Sequence, residues 1–244
     1  MKGLVFAAIA PHGAIAIPEA KPKDDPTLAS ATTAGMVELG RRFAAARPDV
    51  AIILTPHNVH VEGAMAVVDA GALAGDLMQW GSTVSLRVPV DRDLALAVRD
   101  AIRAAGIPVV VVAPARDLPD DVHVRAGAAI ARAARDSGKR VALIASCDHG
   151  HGHDAEGPYG YTPKSKEFDD AVVARLGRDD LAAVAGLGSA FAREAKADSF
   201  WQMLMLHGAL DRDRWRGELL SYEAPTYFGM ICASYVPQEA AALA

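Results

Sequence analysis

Apolar residues along this chain recur in short, uninterrupted runs that end in turn-forming residues. Four such runs cover residues 4–10, 50–56, 107–114 and 140–146. Runs of this length that are apolar at nearly every position are typical of strands buried on both faces of a sheet. We therefore predict four central strands.

Segments between these runs carry apolar residues at helical spacing instead. They cover residues 34–46, 91–105 and 124–136, and each ends at or near a proline or a glycine, as helices commonly do. This alternation of strand and helix predicts an α/β fold, with a central, mostly parallel or mixed sheet and helices on both faces.

The remaining segments have weaker patterns. Residues 166–176 and 199–210 show helical spacing, and residues 227–236 alternate like a final strand. Residues 64–70 and 83–90 are candidates for the two strands of a hairpin.

Length and composition are those of an ordinary globular protein. The 244 residues are 51% hydrophobic and 23% charged, which is enough apolar material for one core and far from a disordered composition. We predict a single domain over residues 1–244.

Charge and cysteine content bear on partners and location. The formal net charge is -5 and Lys and Arg form no dense basic run, so we expect no nucleic-acid partner. Cys147 and Cys232 lie far apart in sequence, which favours a reducing, cytoplasmic location. The N-terminal apolar stretch is too short to span a membrane, and we expect no membrane partner.

Most of the histidines follow directly after predicted strands. A single histidine is more often structural than functional, but ligands of open α/β sheets bind beyond the carboxyl ends of the strands, and six of the eight histidines are expected at that edge. They are His12, His57, His60, His149, His151 and His153. Their shared position favours one site.

The residue types at this edge suit a metal. Two neutral imidazoles and one carboxylate leave open positions on a metal ion, as in non-haem Fe(II) sites that activate dioxygen. Neither HExxH nor paired CxxC occurs, so spacing alone identifies no zinc motif.

The order of the motifs resembles a known family. "PHG", "ILTPHN", "SCDHGH", "GPYGYTPKSKEFD" and "EAKADSFWQMLMLHGAL" together resemble the catalytic subunit of class III extradiol ring-cleavage dioxygenases. These enzymes belong to the LigB-like superfamily, which also includes the Memo proteins. The resemblance spans nearly the whole chain and implies Fe(II) as cofactor, with O2 and a small catechol-type or 2-aminophenol-type aromatic ring as substrates.

The resemblance also implies roles for individual residues. It places the metal ligands at His12, His57 and Glu194. His60 is the alternative to His57, and Asp198 is the alternative to Glu194 unless it caps the following helix.

His151 takes the place of the family's acid/base histidine, and His123 and Tyr159 are candidates for substrate binding. The roles of His149 and His153 stay open.

Two further sets of side chains have alternative interpretations. Asp148 is a candidate for orienting an imidazole, or for a turn residue that hydrogen-bonds its own backbone. Arg125 and Arg193 are candidates for receiving a substrate carboxylate if the fold turns them inward.

Two other functions share the expected fold. One is a Memo-like binding or redox protein without oxygenase activity, in which a cysteine would be the more natural third ligand. The other is a zinc-dependent relative, because histidine and carboxylate do not select iron over zinc. By the same resemblance we expect a homo-oligomer, with a small second subunit as a further option.

Overall fold

A mixed β-sheet forms the centre of the protein in a computed structural model, which describes residues 2–57, 61–105 and 114–238. The strands are β1 (Gly3–Ala10), β2 (Val50–Leu54), β3 (Ala72–Asp76), β4 (Ser85–Pro89), β5 (Arg140–Ser146), β6 (Trp215–Glu223) and β7 (Met230–Pro237). Five of them form the central sheet in the order β2-β5-β1-β7-β6, and β3 pairs only with β4 within the described ranges. β2, β5 and β1 run parallel to one another, whereas β7 is antiparallel to both β1 and β6.

Helices cover both faces of this sheet. They are α1 (Ser30–Ala46), α2 (Arg92–Ala104), α3 (Asp120–Asp136), α4 (Pro163–Leu176), α5 (Leu181–Ala185), α6 (Ser189–Glu194) and α7 (Phe200–Ala209). None of the helices in the described ranges combines the length and the hydropathy that crossing a membrane would require.

The side chains of β1 explain why helices are needed on both faces. Successive strand residues point to opposite faces of a sheet, and both sets are apolar here. Phe6 and Ala8 pack in one cluster with Leu39 of α1. Ala7 and Ile9 pack in the larger cluster, to which α3 and α7 contribute. Burial of both faces is the main source of stability for such a strand.

α3 and α7 cross unusually closely, and two glycines permit it. A Cβ atom on Gly127 would lie 1.8 Å from the carbonyl oxygen of Met205, and one on Gly208 would lie 1.9 Å from that of Val124. Any larger residue would force the two backbones apart. This crossing fixes the position of α7, and with it the position of Asp198, which lies two residues before α7 begins.

The predicted α/β architecture is confirmed, and the differences lie in its outer parts. β6 was not predicted, because most of its residues are only partly buried and its apolar pattern is weak. The predicted hairpin between residues 64–70 and 83–90 is wrong: Ala64 forms an isolated bridge with Val61, and the strand that pairs with β4 is β3. The strand predicted over residues 107–114 lies, except for its last residue, outside the described residues.

Candidate functional site

Three neighbouring strands deliver polar side chains to one edge of the sheet. Because β2, β5 and β1 are parallel, their carboxyl ends meet there, and open α/β sheets bind ligands at such an edge. His57 follows β2, Asp148 follows β5 and His12 follows β1. β7 begins at the same edge, where Met230 forms an isolated bridge with Asp148.

Two of the histidines converge there with one carboxylate. His12, His57 and Asp198 each offer one donor atom, and these atoms lie within 4.8 Å of one another. We call these three residues the donor cluster. Nε2 of His12 lies 3.4 Å from Oδ2 of Asp198, and the imidazole rings of His12 and His57 meet edge to face with centroids 4.5 Å apart.

Hydrogen bonds orient the donor atoms of this cluster. Nδ1 of His12 is hydrogen-bonded to Oγ of Ser146 at 3.2 Å, which leaves Nε2 facing the cluster. Oδ1 of Asp198 accepts a hydrogen bond from the backbone N–H of Asp148 at 3.0 Å, which leaves Oδ2 facing it. Such supporting partners are typical of metal-binding histidines and carboxylates.

Asp148 is a second carboxylate beside His12. Its Oδ1 accepts a hydrogen bond from the backbone N–H of His12 at 3.1 Å, and its Oδ2 lies 3.2 Å from Nε2 of the same residue. Burial raises the pKa of Asp148 to about 6, although the charge of His12 opposes the change. Asp148 therefore holds His12 through backbone and side chain together.

Opposing effects set the pKa values of the donor cluster. Burial lowers the pKa of His12, but the hydrogen bond to Asp198 and the charges of Asp148 and Asp198 outweigh it and raise the pKa. Burial raises the pKa of Asp198, but the hydrogen bond from His12 outweighs it and lowers the pKa. Burial and the charge of His12 lower the pKa of His57.

The donor cluster has the chemistry and spacing of a metal site. A divalent transition metal lies about 2.0–2.2 Å from nitrogen and carboxylate ligands, so neighbouring ligands lie about 3–3.5 Å apart. The separation of 3.4 Å between His12 and Asp198 falls in this range. Two imidazoles and one carboxylate suit iron and zinc alike.

His151 lies beside the donor cluster. Its Nδ1 donates a hydrogen bond to the carbonyl oxygen of Lys196 at 2.9 Å. A carbonyl can only accept, so a neutral His151 carries its proton on Nδ1 and a lone pair on Nε2. That Nε2 lies 3.9 Å from Oδ2 of Asp198, and the ring stacks on Phe228 with centroids 5.7 Å apart.

The donor cluster and His151 line a pocket of about 1030 Å³. Its wall combines aromatic and cationic side chains. Among the described residues these are Trp80, Tyr159, Trp201, Tyr227, Phe228, Arg116, Arg193 and Lys196. The mixture suits an aromatic ring bound beside polar groups.

Two of the predicted site residues do not lie where the resemblance implied. Glu194 is exposed at the end of α6, because Ala192 and Ala195 take the buried positions around it, and it does not line the pocket. The carboxylate beside both histidines is instead Asp198, which the sequence offered as the alternative to Glu194. Asp198 does not cap α7 by a side-chain hydrogen bond.

His123 also lies away from the pocket lining. It is 0% exposed in the first turn of α3, where its Nδ1 donates to the carbonyl oxygen of Pro119 at 3.1 Å, and it does not line the pocket. Tyr159 does line the pocket and is 57% exposed, with its ring edge to face with His151 at 5.5 Å. The structure therefore leaves Tyr159, and not His123, within reach of a pocket ligand.

The remaining histidines of the predicted edge have other environments. His149 is fully buried, and neither of its ring nitrogens has a hydrogen-bond partner among the described residues. Burial lowers its pKa to about 4. His153 is not among the described residues that line the pocket, and it pairs through Nε2 with Oδ2 of Asp169 at 2.8 Å. His60 lies outside the described residues.

Sequence reasoning missed several contributors to the site, and three of them show why. Ser146 is the last residue of a predicted strand, and its position just before the histidine-rich loop was the available signal. Trp80 lies in a short 3-10 turn between β3 and β4, and Arg116 lies in the irregular segment before α3. Neither of these two segments has a periodic pattern that would indicate which side chains turn inward.

Comparisons with known proteins identify the family of the chain. A family model described as the catalytic LigB subunit of aromatic ring-opening dioxygenase matches residues 6–121 and 110–232. Protein CA_C1420 of Clostridium acetobutylicum is 21% identical in an alignment that covers 87% of this chain and 53% of that protein. This chain therefore spans about half the length of that relative.

A solved structure shares the fold. The uncharacterised protein JW3007 from Escherichia coli K12 superimposes with a TM-score of 0.56 at 15% sequence identity, over 94% of this chain and 99% of that one. Similarity at this level of identity shows a common fold only. The two family matches overlap and together cover most of the chain. We conclude that the chain belongs to the LigB family, whose model describes the catalytic subunit of aromatic ring-opening dioxygenases.

Proposed function

We propose that this protein is an Fe(II)-dependent extradiol dioxygenase that opens a catechol-type or 2-aminophenol-type ring with O2. The observation that carries the proposal is the convergence of His12, His57 and Asp198 in an aromatic-lined pocket, with Nε2 of His151 beside them. Membership of the LigB family supports the dioxygenase class.

The donor cluster would hold the metal through two imidazoles and one carboxylate. When bound, Fe(II) supplies open positions at which the two vicinal substrate heteroatoms and O2 can be brought together. The contribution of the protein is to orient the donors, as Ser146 and the backbone N–H of Asp148 do.

His151 is suited to handle the substrate proton. A catechol hydroxyl must lose a proton in order to bind as an anion, and the lone pair on Nε2 of His151 faces the donor cluster. The imidazolium formed in this way keeps its Nδ1 hydrogen bond to the Lys196 carbonyl oxygen. It can later return the proton from the same atom, and general acid/base catalysis of this kind contributes about 10²- to 10⁴-fold.

The aromatic side chains next to His151 would hold the substrate ring. Phe228 stacks on the imidazole, and the ring of Tyr227 lies 4.8 Å from that of Phe228 between centroids. Gly13 makes this packing possible, because a Cβ atom there would lie 2.5 Å from Phe228. We propose that Tyr159, at the exposed rim of the pocket, contacts the substrate.

The cysteines give no support to the Memo-like alternative. A cysteine is the expected third ligand in that case, and neither Cys147 nor Cys232 is among the described residues that line the pocket. Cys147 is fully buried, with Sγ 3.7 Å from the carbonyl oxygen of Ser199. Burial raises the pKa of its thiol well above the usual range, which disfavours the thiolate that a metal requires.

The test is oxygen uptake after metal reconstitution. The protein is loaded anaerobically with Fe(II) or with Zn(II), and each form is mixed with O2 and a panel of catechols and 2-aminophenols. We expect the Fe(II) form alone to consume O2 and to produce the visible absorbance of a ring-opened product. Stoichiometric iron binding with no uptake on any member of the panel would contradict the proposal, and hydrolytic activity of the Zn(II) form would favour the zinc-dependent alternative.

A further inference from the structure

The ribbon formed by β3 and β4 (residues 72–89) lies outside the hydrophobic core. None of its apolar side chains belongs to the clusters of buried residues in the described ranges, and none is among the partly buried side chains that pack against those clusters. Within the same ranges β3 and β4 pair only with each other. A two-stranded ribbon is at best marginally stable in water, whereas three or more strands with a hydrophobic face can be stable.

One face of the ribbon is apolar along its whole length. Cross-strand partners share a face of a sheet, and so do residues two apart along a strand. By this rule the register of β3 and β4 collects five large aliphatic side chains on one face. They are Leu73, Leu77, Val84, Leu86 and Val88. All but Leu77 are between 37% and 66% exposed, and a contiguous apolar face of this kind marks an interaction surface.

The outward backbone groups of the ribbon follow from its register. In an antiparallel pair, every second residue directs its N–H and C=O away from the partner strand. The hydrogen bonds from Val90 to Gly71 and from Leu77 to Val84 fix which residues these are. They are Ala72, Ala74 and Asp76 in β3, and Ser85, Arg87 and Pro89 in β4.

The edge of β4 is protected against pairing, whereas the edge of β3 is not. Pro89 has no N–H to donate, and Arg87 places a charge at the centre of that edge. Both are features by which edge strands avoid association. The residues paired with them in β3 are Ala72 and Ala74, which are small and uncharged. Their outward N–H and C=O groups have no backbone hydrogen-bond partner in the described part of the chain.

We propose that β3 pairs antiparallel with β3 of a second copy of this chain about a two-fold axis at Ala74, so that the two ribbons form one four-stranded sheet. Ala74 then faces the partner's Ala74, and Ala72 faces the partner's Asp76, so no like charges oppose each other. The inference does not rest on the proposed function, because it concerns the edge of β3 and not the donor cluster.

The remaining features of the ribbon fit the same arrangement. Leu73 faces the partner's Gly75, and a Cβ atom on Gly75 would meet no atom within 4 Å, so there is room for the leucine. Each facing pair of outward residues exchanges two N–H···O bonds, and the two apolar faces join into one. A two-fold contact through β4 would instead set Arg87 against its own copy.

Sedimentation equilibrium of the full chain measures the association. A contact made by one strand is smaller than the roughly 1,600 Å² of a standard interface, so the dimer should dissociate on dilution. We expect the mass to rise with protein concentration from 25.5 kDa toward twice that value. The mass of a single chain at every concentration would overturn the inference. Masses beyond the dimer would also overturn it, because a two-fold contact closes.

A charge exchange at Ala74 tests the two-fold axis. In the proposed dimer this residue faces itself, so Ala74→Lys and Ala74→Glu should each be monomeric because two like charges would meet. An equimolar mixture of the two variants should recover the dimer, because opposite charges then face each other. A dimer that persists in both single variants, or a mixture that stays monomeric, would exclude the axis at Ala74.

Proline substitutions provide a matched control for the choice of edge. Ala74→Pro removes an outward N–H from β3, and Ser85→Pro removes one from β4, where Pro89 already occupies such a position. Ala74→Pro should weaken the dimer about ten-fold or more, because the two-fold axis makes it lose two hydrogen bonds. Ser85→Pro should associate like the wild type. Loss of the dimer in Ser85→Pro but not in Ala74→Pro would contradict the assignment to β3.

Discussion

Two groups of histidine and carboxylate flank the histidine-rich loop, and they differ in what their polar atoms contact. One is the donor cluster, which opens to the pocket. The other, which we call the buried cluster, consists of His153, Asp169 and Tyr222. Asp169 is 0% exposed, and its Oδ2 accepts from Tyr222 at 3.0 Å and pairs with His153 at 2.8 Å. Its Oδ1 accepts from the backbone N–H of Gly150 at 2.8 Å.

The difference shows what makes such residues able to bind a ligand. In the buried cluster both carboxylate oxygens are satisfied by protein donors, and a Cβ atom on Gly229 would lie 2.0 Å from Oδ2 of Asp169. In the donor cluster, Nδ1 of His12 and Oδ1 of Asp198 are hydrogen-bonded to the protein. The other polar atom of each side chain faces the donor cluster, which lines the pocket. Residue type is common to both clusters, whereas among the described residues only the side chains of the donor cluster line the pocket.

The largest effect that would test this contrast is loss of the metal. Asp198→Ala removes one of the three protein ligands that we propose. Loss of a residue that only orients a ligand lowers metal affinity by up to about 100-fold, so loss of the ligand itself should lower it by more. Metal content after dialysis, measured by plasma emission, gives the result. Glu194→Ala is the matched control, since this acid lies only four residues away but is exposed. Full iron occupancy in Asp198→Ala would contradict the assignment.

A second contrast concerns two histidines of the same loop. His151→Gln should lower turnover about 10²- to 10⁴-fold without changing metal content, because the acid/base group is lost and the ligands remain. His153→Gln should leave turnover per bound metal nearly unchanged, because His153 pairs with the buried Asp169. Turnover and iron are measured on the same samples. Near wild-type turnover of His151→Gln on a proven substrate would refute its role.

The sequence was sufficient to locate the edge of the sheet at which the site lies. β1, β2 and β5 are apolar runs with a clear boundary, and His12 and His57 follow two of those boundaries directly. Placing them needed only local pattern and the rule that parallel strands end at a common edge. That is why these two residues are found together in the structure.

The choice between Glu194 and Asp198 could not be made in the same way. Both are acids in the short stretch "EAKAD", and no periodicity distinguishes them. The structure distinguishes them through the backbone, because α6 ends at Glu194 and Lys196 has a positive φ of 55°. This left-handed residue redirects the chain, and Asp198 follows it into the pocket. Such a turn at a lysine has no reliable sequence signal.

The buried cluster should matter for stability instead of metal binding. Asp169→Ala leaves three donors without their acceptor, namely the Gly150 N–H, His153 and Tyr222. The bond from Gly150 is buried and the other two are partly buried; one unsatisfied buried donor costs about 1–3 kcal/mol, so the free energy of unfolding should fall by at least about that much. Urea denaturation measures it. A loss of metal from folded Asp169→Ala that equals the loss in Asp198→Ala would remove the distinction between the clusters.

His149 predicts how stability should depend on pH. Its native pKa is lowered to about 4 by burial, whereas an unfolded chain has a histidine pKa near 6.5. Between these values the unfolded state takes up a proton and the native state does not. Stability is therefore full above about pH 6.5 and falls as the pH drops toward 4, by roughly 3 kcal/mol in total.

The comparison of wild type with His149→Leu isolates this contribution. The free energy of unfolding is measured by urea denaturation at several pH values between 7 and 4. The variant should show a shallower loss of stability, since the other titrating groups are common to both proteins and cancel in the difference. Parallel pH curves for the two proteins would mean that His149 is not held neutral in the native state.

The smallest expected effect tests whether the hydrogen bond behind His12 contributes to the donor cluster. Ser146→Ala removes the partner of Nδ1, so the ring is less firmly held with Nε2 toward the cluster, and metal affinity should fall about ten- to hundred-fold. Competition with a chelator measures this affinity, and Ser137→Ala, at the end of α3, serves as control. Unchanged affinity would mean that the carboxylate of Asp148 alone orients His12. In that case the two clusters would differ in their access to the pocket, and the hydrogen bond between His12 and Ser146 would not contribute to the difference.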